Sequence, residues 1–470
     1  MPLVRDGAAV SNAPSRRASR TLGAIRAFGL SRAGLITGFI AVHLATVLAL
    51  LPVILDGGTE GDLPLYRRWA MDALAGYWPV IDFPWVYPAG ALIPIVGAML
   101  AGPALYQLTW LTLTAGANLI GIWVLTRGFR LRAAYPAAWY WLLTIVLLAP
   151  VSMLRLEGIA APLTIAALIL IARRPHVAGA LIALATWIKV WPAALAAAAV
   201  TVSSRRWRIA LGGILLSAGI ITAAVLAGAG RDILSFLTVQ SDRAIQLEAV
   251  IATPWVWGAV TEAPGTFIYQ NTALATREIA GPGSRIAASA IDIAMVVAFA
   301  LIAIVLLTAR RRLSIARLSA AAHRRAELRL VVLGAFALTA ALIVCNKVGS
   351  PQYMLWIAPI ITVGLLVDRR RWIAVAWVMA GISLATSLIF PILYMPLVDG
   401  DPWAAAVLTV RNAGLIALFA WSCLELSRCA KDPAWLVAAQ RRESGRQSTT
   451  AFVERSTREP AARTETTSPS

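Results

Sequence analysis

Residues 57–88 read GGTEGDLPLYRRWAMDALAGYWPVIDFPWVYP and separate the first long apolar segment of the chain from the second. The stretch contains three aspartates, Asp62, Asp72 and Asp82, among six tryptophan and tyrosine side chains. Carboxylates beside aromatic rings are typical of sugar-binding sites, because rings stack on apolar sugar faces and carboxylates accept hydrogen bonds from hydroxyls. Tryptophan and tyrosine also settle at membrane interfaces whatever the function, so the aromatic residues alone leave both interpretations open.

The composition of the whole chain predicts an all-α, multi-pass protein of the cell membrane. The 470 residues are 59% hydrophobic and 14% charged, and the mean hydropathy is +0.74. Many apolar runs approach the ~20 residues that a helix needs to cross the hydrocarbon core. The formal net charge of +19 comes largely from short basic runs between apolar segments, which is typical of cytoplasmic loops. Membrane lipids are therefore expected partners, and nucleic acid is not.

The positions of the basic runs predict the topology. Residues 1–32 form a basic cytoplasmic N-terminus, and residues 33–55 form an uncleaved first span because this run is too long for the apolar region of a signal peptide. The membrane domain covers residues 33–427, in about twelve spans. Residues 428–470 are expected to be a largely disordered cytoplasmic tail. The loops expected outside are 56–90, 231–285, 346–352 and 394–403.

Two apolar segments are too short for the crossings that their flanks suggest. The segment Ala89–Ala101 has roughly thirteen residues, and a full crossing there would place the basic loop 127–132 outside, so we expect a re-entrant or interfacial helix. Residues 176–208 have basic runs at both ends and too few apolar residues for two full spans. They predict a hairpin of two short helices with Lys189 at its tip. The Lys189 side chain either extends toward the water or has a functional role, and a charge inside the membrane is functional by default.

Carboxylates and cations are expected to converge on the outer face, which suits the transfer of a sugar from a lipid phosphate. The acceptor hydroxyl needs a general base, and the departing phosphate needs fixed positive charge. Two Gly-containing acidic pairs, at residues 60–62 and 399–401, are more typical of turns than of metal sites. No cofactor is predicted, and a divalent metal ion is left open. The outward polar residues are Glu60, Asp62, Asp72, Asp82, Arg155, Glu157, Lys189, Arg243, Glu248, Lys347 and Asp401.

Four segments, in order along the chain, resemble glycosyltransferase family 87. GDLPLYRRWAMDALAGYWPVIDFPWVYPAG at 61–90 is similar to the first outside loop of that family, and ATWIKVWP at 185–192 is similar to its Lys-x-x-Pro hairpin. SDRAIQLEAVIATP at 241–254 resembles the DR-x-x-Q-x-E segment of actinobacterial members, and KVGSPQYMLWIAP at 347–359 resembles their SPQY-x-x-W stretch. One departure is Tyr87-Pro88-Ala89, where family members often have Tyr-Pro-Pro.

The resemblance implies a GT-C-type bundle of about twelve transmembrane helices whose outside loops form the active site. It further implies a polyprenyl-phosphate sugar donor, usually carrying mannose, and an inverting transfer that gives an α-linkage to a glycolipid or glycan acceptor. The site would face the periplasm or the cell exterior. By motif position Asp62 becomes the catalytic base. The residues expected to bind donor phosphate or substrate are Lys189, Arg243, Lys347, Tyr66, Trp69, Tyr87, Glu157 and Gln352.

Two other functions remain open on the sequence. The first is arabinofuranosyl transfer from the same kind of lipid donor. The second, from a different class, is a membrane transporter or lipid flippase. A flippase needs a polar path that continues to the cytoplasmic side, whereas the polar residues here gather toward the outer face. The chain also shows no clear internal repeat, and many transporters carry one.

Overall fold

The computed structural model describes residues 27–238, 243–272 and 276–437, and most of them are helical. The N-terminal residues 1–26 and most of the predicted tail lie outside the described ranges. Within these ranges seven helices are long and apolar enough to cross a membrane. The prediction of a helical, multi-pass membrane protein is therefore confirmed at this level. The seven are Arg32–Ala49, Pro103–Leu125, Arg206–Leu226, Ser284–Ile315, Ala320–Val344, Pro351–Ile392 and Pro402–Lys431.

The first half of the bundle combines three of these long helices with several short ones. We number the α-helices in chain order. They are α1 Arg32–Ala49, α2 Leu51–Leu55, α3 Leu63–Leu74, α4 Leu92–Gly97, α5 Tyr106–Leu125, α6 Tyr135–Leu147, α7 Val151–Leu154, α8 Glu157–Leu170, α9 Pro175–Ile188, α10 Ala193–Val202 and α11 Arg206–Leu226.

The second half contains the longest helices and a small strand pair. Capping side chains fix two of the helix starts, because Ser319 accepts from the backbone N–H of Ala322 and Asp401 accepts from that of Ala404. The helices are α12 Thr253–Val260, α13 Ser284–Ile315, α14 Ala320–Val344, α15 Met354–Ser387, α16 Tyr394–Val398 and α17 Pro402–Lys431, and the antiparallel strands are β1 Phe267–Asn271 and β2 Thr276–Ala280.

Helix α15 is two helices joined at Asp368. This residue has φ −150° and ψ 76°, which are not helical angles, and the basic run 369–371 follows it. The two arms bend toward each other, because a Cβ on Gly364 would lie only 2.3 Å from the ring of Trp372. The basic run thus marks a turn between two apolar segments, as the sequence predicts.

The predicted hairpin around Lys189 is present as α9 and α10. Helix α9 ends at Ile188, and α10 begins after Pro192. The two flanks lie together, since Arg205 donates to the backbone carbonyl of Ala172. Helix α11 then runs beside α9 at very short range, and a Cβ on Gly212 would lie 2.0 Å from the carbonyl oxygen of His176. Both flanks of the hairpin are therefore at one end of the bundle.

The segment Ala89–Ala101 starts and finishes at one end of the bundle. It consists of short helical turns that include α4. Its start packs on the hairpin, because Gly90 lies against Trp187. Just after its finish, the carbonyl of Pro103 accepts from Arg67, which also donates to the carbonyl of Gly57. This geometry fits the re-entrant or interfacial helix that its length predicts.

Residues 243–272 and 276–283 form a small unit with its own core, which the sequence does not predict. Strands β1 and β2 pair in register from Phe267 with Ala280 to Asn271 with Thr276. The linker before α12 joins this hairpin, since Leu247 donates to the carbonyl of Arg277. The buried residues that hold the unit against α16 and α17 include Ile245, Leu247, Val256, Ile279, Leu397 and Leu408.

Candidate functional site

Asp62 occupies the N-cap position of α3 without capping it. Aspartate at an N-cap usually accepts from the backbone N–H two or three residues on, but Asp62 has φ −87° and ψ −7° and makes no such bond. Its carboxylate instead accepts from the Tyr66 hydroxyl at 3.3 Å and pairs with Arg155 at 3.2 Å. The Asp62 side chain remains 27% exposed, so a substrate hydroxyl can reach it.

Arg155 connects Asp62 to the segment before α15. It lies in the extended break between α7 and α8, with φ −130° and ψ 159°. Its guanidinium also donates to the side-chain oxygen of Gln352, in the turn Pro351–Tyr353. Three segments that are far apart in sequence therefore meet at one guanidinium. Arg155 is one of the outward polar residues, but nothing in the sequence places it against Asp62.

A second ion pair lies deeper in the same cluster. Glu157 begins α8 and its carboxylate lies 3.3 Å from the Lys189 ammonium. Their side chains are 1% and 16% exposed, and an unpaired buried charge would be strongly destabilising. The ammonium also sits 4.2 Å from the ring centroid of Tyr87, a cation–π contact. Lys189 is thus held by a charge and an aromatic face, rather than extending toward water.

Aromatic side chains connect the two ion pairs. Tyr87 packs edge-on against Tyr66 with ring centroids 6.1 Å apart, and Tyr66 is the residue that reaches Asp62. Trp69 lies between Tyr66 and Trp85, at 6.1 Å and 5.3 Å. Tyr66 and Trp85 are fully buried. Tyr66, Trp69, Trp85 and Tyr87 therefore form a packed wall under the charges, and Tyr66 also contributes a hydroxyl to them.

Arg243 and Lys347 lie in a neighbouring cavity of about 780 Å³, which also includes Tyr269 and Arg285. The Lys347 ammonium pairs with Asp292 of α13 at 3.2 Å. Gln246, in the linker that begins at Arg243, donates its backbone N–H to the carbonyl of Lys347. Of the residues predicted to bind substrate, Lys189, Glu157, Gln352, Tyr66, Trp69 and Tyr87 thus join Asp62, whereas these two basic residues face the adjacent space.

Glu248 and Arg411 form a buried polar contact that the sequence analysis overlooked. Arg411, on α17, donates to the backbone carbonyl of Glu248 and to the Asn412 side chain. Burial raises the pKa of Glu248 to about 7, although Arg411 and Arg155 act to lower it. An arginine inside the apolar run 404–426 was the available signal, since charges within a span are usually functional.

Several buried polar atoms at this end make no hydrogen bond within the described structure. Neither carboxylate oxygen of Glu157 accepts a well-aligned hydrogen bond, and the indole N–H groups of Trp191 and Trp356 have no acceptor. The two indoles stack with centroids 6.2 Å apart, and Tyr353 lies 3.8 Å from Trp356. Buried polar atoms are usually hydrogen-bonded, so these groups are available to a polar ligand.

The other acidic residues of the predicted outer face have local roles or stand apart. Asp82 accepts from the backbone N–H of Trp78 at 2.6 Å and so closes a turn, while Asp401 caps α17. Within residues 27–238, 243–272 and 276–437, no three His, Cys, Asp or Glu side chains are grouped to hold a metal ion.

Comparisons of the chain with protein-family models, with curated proteins and with solved structures found no match. The class of the protein therefore follows from its own fold and site. It is a helical membrane protein whose short helices bring two acid–cation pairs together above an aromatic wall.

Proposed function

We propose that the chain is an integral membrane glycosyltransferase that moves a sugar from a polyprenyl-phosphate donor to a lipid-linked or polysaccharide acceptor. Mannose is the favoured sugar, transferred with inversion to give an α-linkage. The observation that carries the proposal is the partly exposed Asp62 carboxylate beside Arg155, in one cluster with the buried Lys189 ammonium. This combination supplies a base and fixed positive charge at one place.

Asp62 acts as the general base in this proposal. The acceptor oxygen attacks the anomeric carbon, its proton passes to the Asp62 carboxylate, and the bond from that carbon to the phosphate oxygen breaks. Arg155 and the Tyr66 hydroxyl hold the carboxylate in place from two sides. A positioned base of this kind contributes about 10²–10⁴ in rate.

Lys189 and Arg155 stabilise the departing lipid phosphate. Both cations are held by carboxylates and by neighbouring side chains, so they need little rearrangement when charge develops on the phosphate oxygen. Beside the Lys189 hairpin lies an apolar cavity of about 450 Å³ between α9, α10 and α11, which includes Trp187. A prenyl chain fits the apolar character of this cavity while its phosphate reaches Lys189. Arg243 and Lys347, in the adjacent cavity, are suited to the acceptor.

The proposed membrane arrangement is a GT-C-type bundle of about twelve spans. The seven long helices give eight when α15 is divided at Asp368, and the short helices α6, α8, α9 and α10 bring the count to twelve. A helix of fourteen residues, such as α8, is about 21 Å long, against a hydrocarbon core of ~30 Å. The short helices therefore favour a site below the membrane surface, and the positive-inside rule favours the outer side.

The apolar middle of the buried helix α8 favours a transferase over a flippase. Helix α8 carries Glu157 at one end, but the rest of it is apolar apart from Thr164, and residues 157–168 are buried. A flippase needs a polar path through the bundle, and this helix does not contribute one. Arabinofuranosyl transfer uses the same donor chemistry and is distinguished only by the sugar.

The experiment is a transfer assay with the purified full-length protein and extracted membrane acceptors. Radiolabelled polyprenyl-phosphate mannose and polyprenyl-phosphate arabinose are supplied in parallel, and the proposal expects label from the mannose donor in the acceptor fraction. Label from arabinose alone would reassign the sugar. If neither donor transfers label while the protein moves the donor between leaflets of sealed vesicles, the flippase reading replaces the transferase.

A further inference from the structure

A further cavity lies at the opposite end of the helices that carry the Asp62 cluster. Its volume is about 740 Å³, and its lining includes Leu125, Ile169 and Val367. Helix α8 runs from Glu157 in the Asp62 cluster to Ile169 at this cavity, about 18 Å along a helix. Helix α5 runs likewise from Trp110, which packs on Tyr66, to Leu125. We call this space the basic cavity.

Positive charge dominates the basic cavity. Of the described residues that line it, five are arginines and none is acidic. Burial, and next the neighbouring Arg173, lowers the pKa of Arg127, so positive charges are crowded here. An anion in the cavity would relieve that repulsion. The five are Arg127, Arg173, Arg324, Arg325 and Arg369.

The loop that carries Arg127 has an unusual backbone. Arg127, Gly128 and Phe129 have φ values of 53°, 68° and 62°, and two of them are residues that rarely adopt left-handed angles. The loop is held by the Thr126 hydroxyl, which accepts from the backbone N–H of Phe129, and by Tyr135, which donates to the Phe129 carbonyl. Strained backbone persists where surrounding contacts impose it, often at binding sites. The backbone at Arg127 is thus held beside the cavity.

The cavity is also apolar, and its apolar side continues along the bundle. Leu131, Leu328 and Leu366 line it together with the arginines. A smaller cavity of about 190 Å³ shares Pro136, Leu365 and Arg369 with it. That smaller cavity lies between α6 and the second arm of α15 and contains Trp139, Leu143, Ile373 and Trp377. We call it the apolar groove.

We propose that the basic cavity binds the phosphate headgroup of an anionic membrane lipid, with an acyl chain in the apolar groove. A free phosphate would satisfy the arginines but leave the groove unused. An apolar molecule would fill the groove but leave the arginines crowded. A lipid with an anionic headgroup satisfies both, and clustered basic residues next to spans attract such lipids by about 1 kcal/mol per residue. The proposal does not depend on sugar transfer.

The test measures lipid binding to the full-length protein in detergent. Dioleoyl phosphatidylglycerol is titrated and bound lipid is counted by native mass spectrometry. The comparison ligands are dioleoyl phosphatidylcholine, dihexanoyl phosphatidylglycerol and inorganic phosphate. We expect tight binding of one dioleoyl phosphatidylglycerol, and weaker binding of the zwitterionic and short-chain lipids. Equally tight binding of inorganic phosphate would show a simple anion site and overturn the lipid assignment.

Matched variants separate the cavity from general basicity. Replacing two arginines, Arg127→Gln with Arg173→Gln, should weaken binding by about 10- to 30-fold, and the two-lysine version should recover most of it. The control pair is Arg311→Gln with Arg312→Gln, near the end of α13, which removes the same charge away from the cavity. An equal loss in the control would mean diffuse attraction and contradict the proposal.

A crosslinking experiment on the unaltered protein covers the case in which the variants fail to fold. Phosphatidylglycerol with a photoreactive group on its acyl chain should label α6 and the second arm of α15, close to Trp139 and Trp377. Labelling confined to other helices would place the lipid elsewhere and overturn the assignment.

Discussion

The two ends of the helical bundle handle charge in opposite ways. At the Asp62 end, two carboxylates meet two cations, in the pairs Asp62–Arg155 and Glu157–Lys189. At the other end five arginines line one cavity, and no acidic residue lines it among those described. At the first end each cation has a carboxylate partner, whereas the cavity at the second end is lined by cations alone among the described residues. The first arrangement supplies a base beside fixed positive charge, and the second suits the binding of an anion.

The excess of positive charge at this end is local to the cavity lining, because a buried acid nearby has several cationic partners. Beside the basic cavity, Glu425 of α17 is 5% exposed and pairs with Arg329, Arg371 and Arg428. Here one buried acid is surrounded by three cations, and its charge is well compensated. The two ends therefore differ in the number of cations relative to carboxylates. Replacing one charged partner at each end tests this difference.

The largest expected effect tests whether the Asp62 end performs chemistry. Asp62→Asn keeps the size of the side chain but cannot accept the proton of the acceptor, so the transfer rate should fall by about 10²–10⁴. Asp82→Asn is the matched control, because Asp82 only closes a turn on Trp78. The measurement is the initial rate of sugar transfer, with donor binding measured separately. Normal activity of the Asp62 variant, with loss of activity in the Asp82 variant, would show that Asp82 and not Asp62 is the base.

The next effect tests whether pairing holds the Asp62 end together. Lys189→Met leaves Glu157 buried without a cation and should cost about 3–5 kcal/mol of stability. The double variant with Glu157→Gln should recover most of that stability but not the activity, because the ammonium proposed to stabilise the donor phosphate is absent. Thermal unfolding in detergent and transfer rate are measured on the same samples.

A matched variant at the basic end sharpens this result. Arg428→Gln removes one of three cations around Glu425, and the Arg428 side chain is 69% exposed, so solvent screens its charge. The expected loss is under about 1 kcal/mol. If it equals the loss of Lys189→Met, the pairing at the two ends does not differ as described.

The third effect concerns pH and belongs to Glu248. Its pKa is raised to about 7, so the folded state binds a proton more tightly than the unfolded chain does. Stability should therefore fall as the pH rises from about 5 through 7, by on the order of 1–3 kcal/mol. Arg411, Arg155 and Tyr394 are the titratable groups around it. Glu248→Gln should remove this slope in thermal unfolding between pH 5 and 8. An unchanged slope would assign it to another group.

The smallest effect distinguishes two aspartates that both precede a helix. Asp401 caps α17 through the backbone N–H of Ala404 at 2.7 Å, so Asp401→Ala should cost about 1 kcal/mol of stability and leave the proposed transfer rate of the folded protein nearly unchanged. Asp62 does not cap α3, so Asp62→Ala should lose no cap energy. Chemical denaturation beside transfer rates checks both, and loss of turnover in the Asp401 variant would contradict its capping role.

The sequence predicts those parts of the fold that local composition encodes. Basic runs and Pro192 predict the hairpin with Lys189 at its tip, and the run 369–371 predicts the turn in α15. The shortness of Ala89–Ala101 predicts a segment that does not cross. Each depends on the length of an apolar run or on charge placement, and both can be read along the chain.

Contacts between distant segments could not be predicted in the same way. Asp62 and Arg155 are 93 residues apart, and only the packing of α3 against the α7–α8 break brings them together. The same holds for Arg411 and Glu248, which are 163 residues apart. The strand pair β1–β2 was missed because its strands have five residues each, too few to show a clear alternation among polar neighbours. Arg243 and Lys347 were grouped with Asp62 by the order of the motifs along the chain, and this order does not predict their separation in space.

The shortness of the Lys189 hairpin also has a consequence for the surrounding bilayer. Helix α10 has ten residues and is about 15 Å long, half the thickness of an average hydrocarbon core. Such hydrophobic mismatch is relieved by local thinning of the lipid around the short element. The leaflet beside the hairpin would then dip toward Lys189 and carry its headgroups to the depth of the ion pairs. Under the proposed function, a lipid-linked donor would present its phosphate there while its chain stays in the membrane, and bilayer thickness would then change the transfer rate.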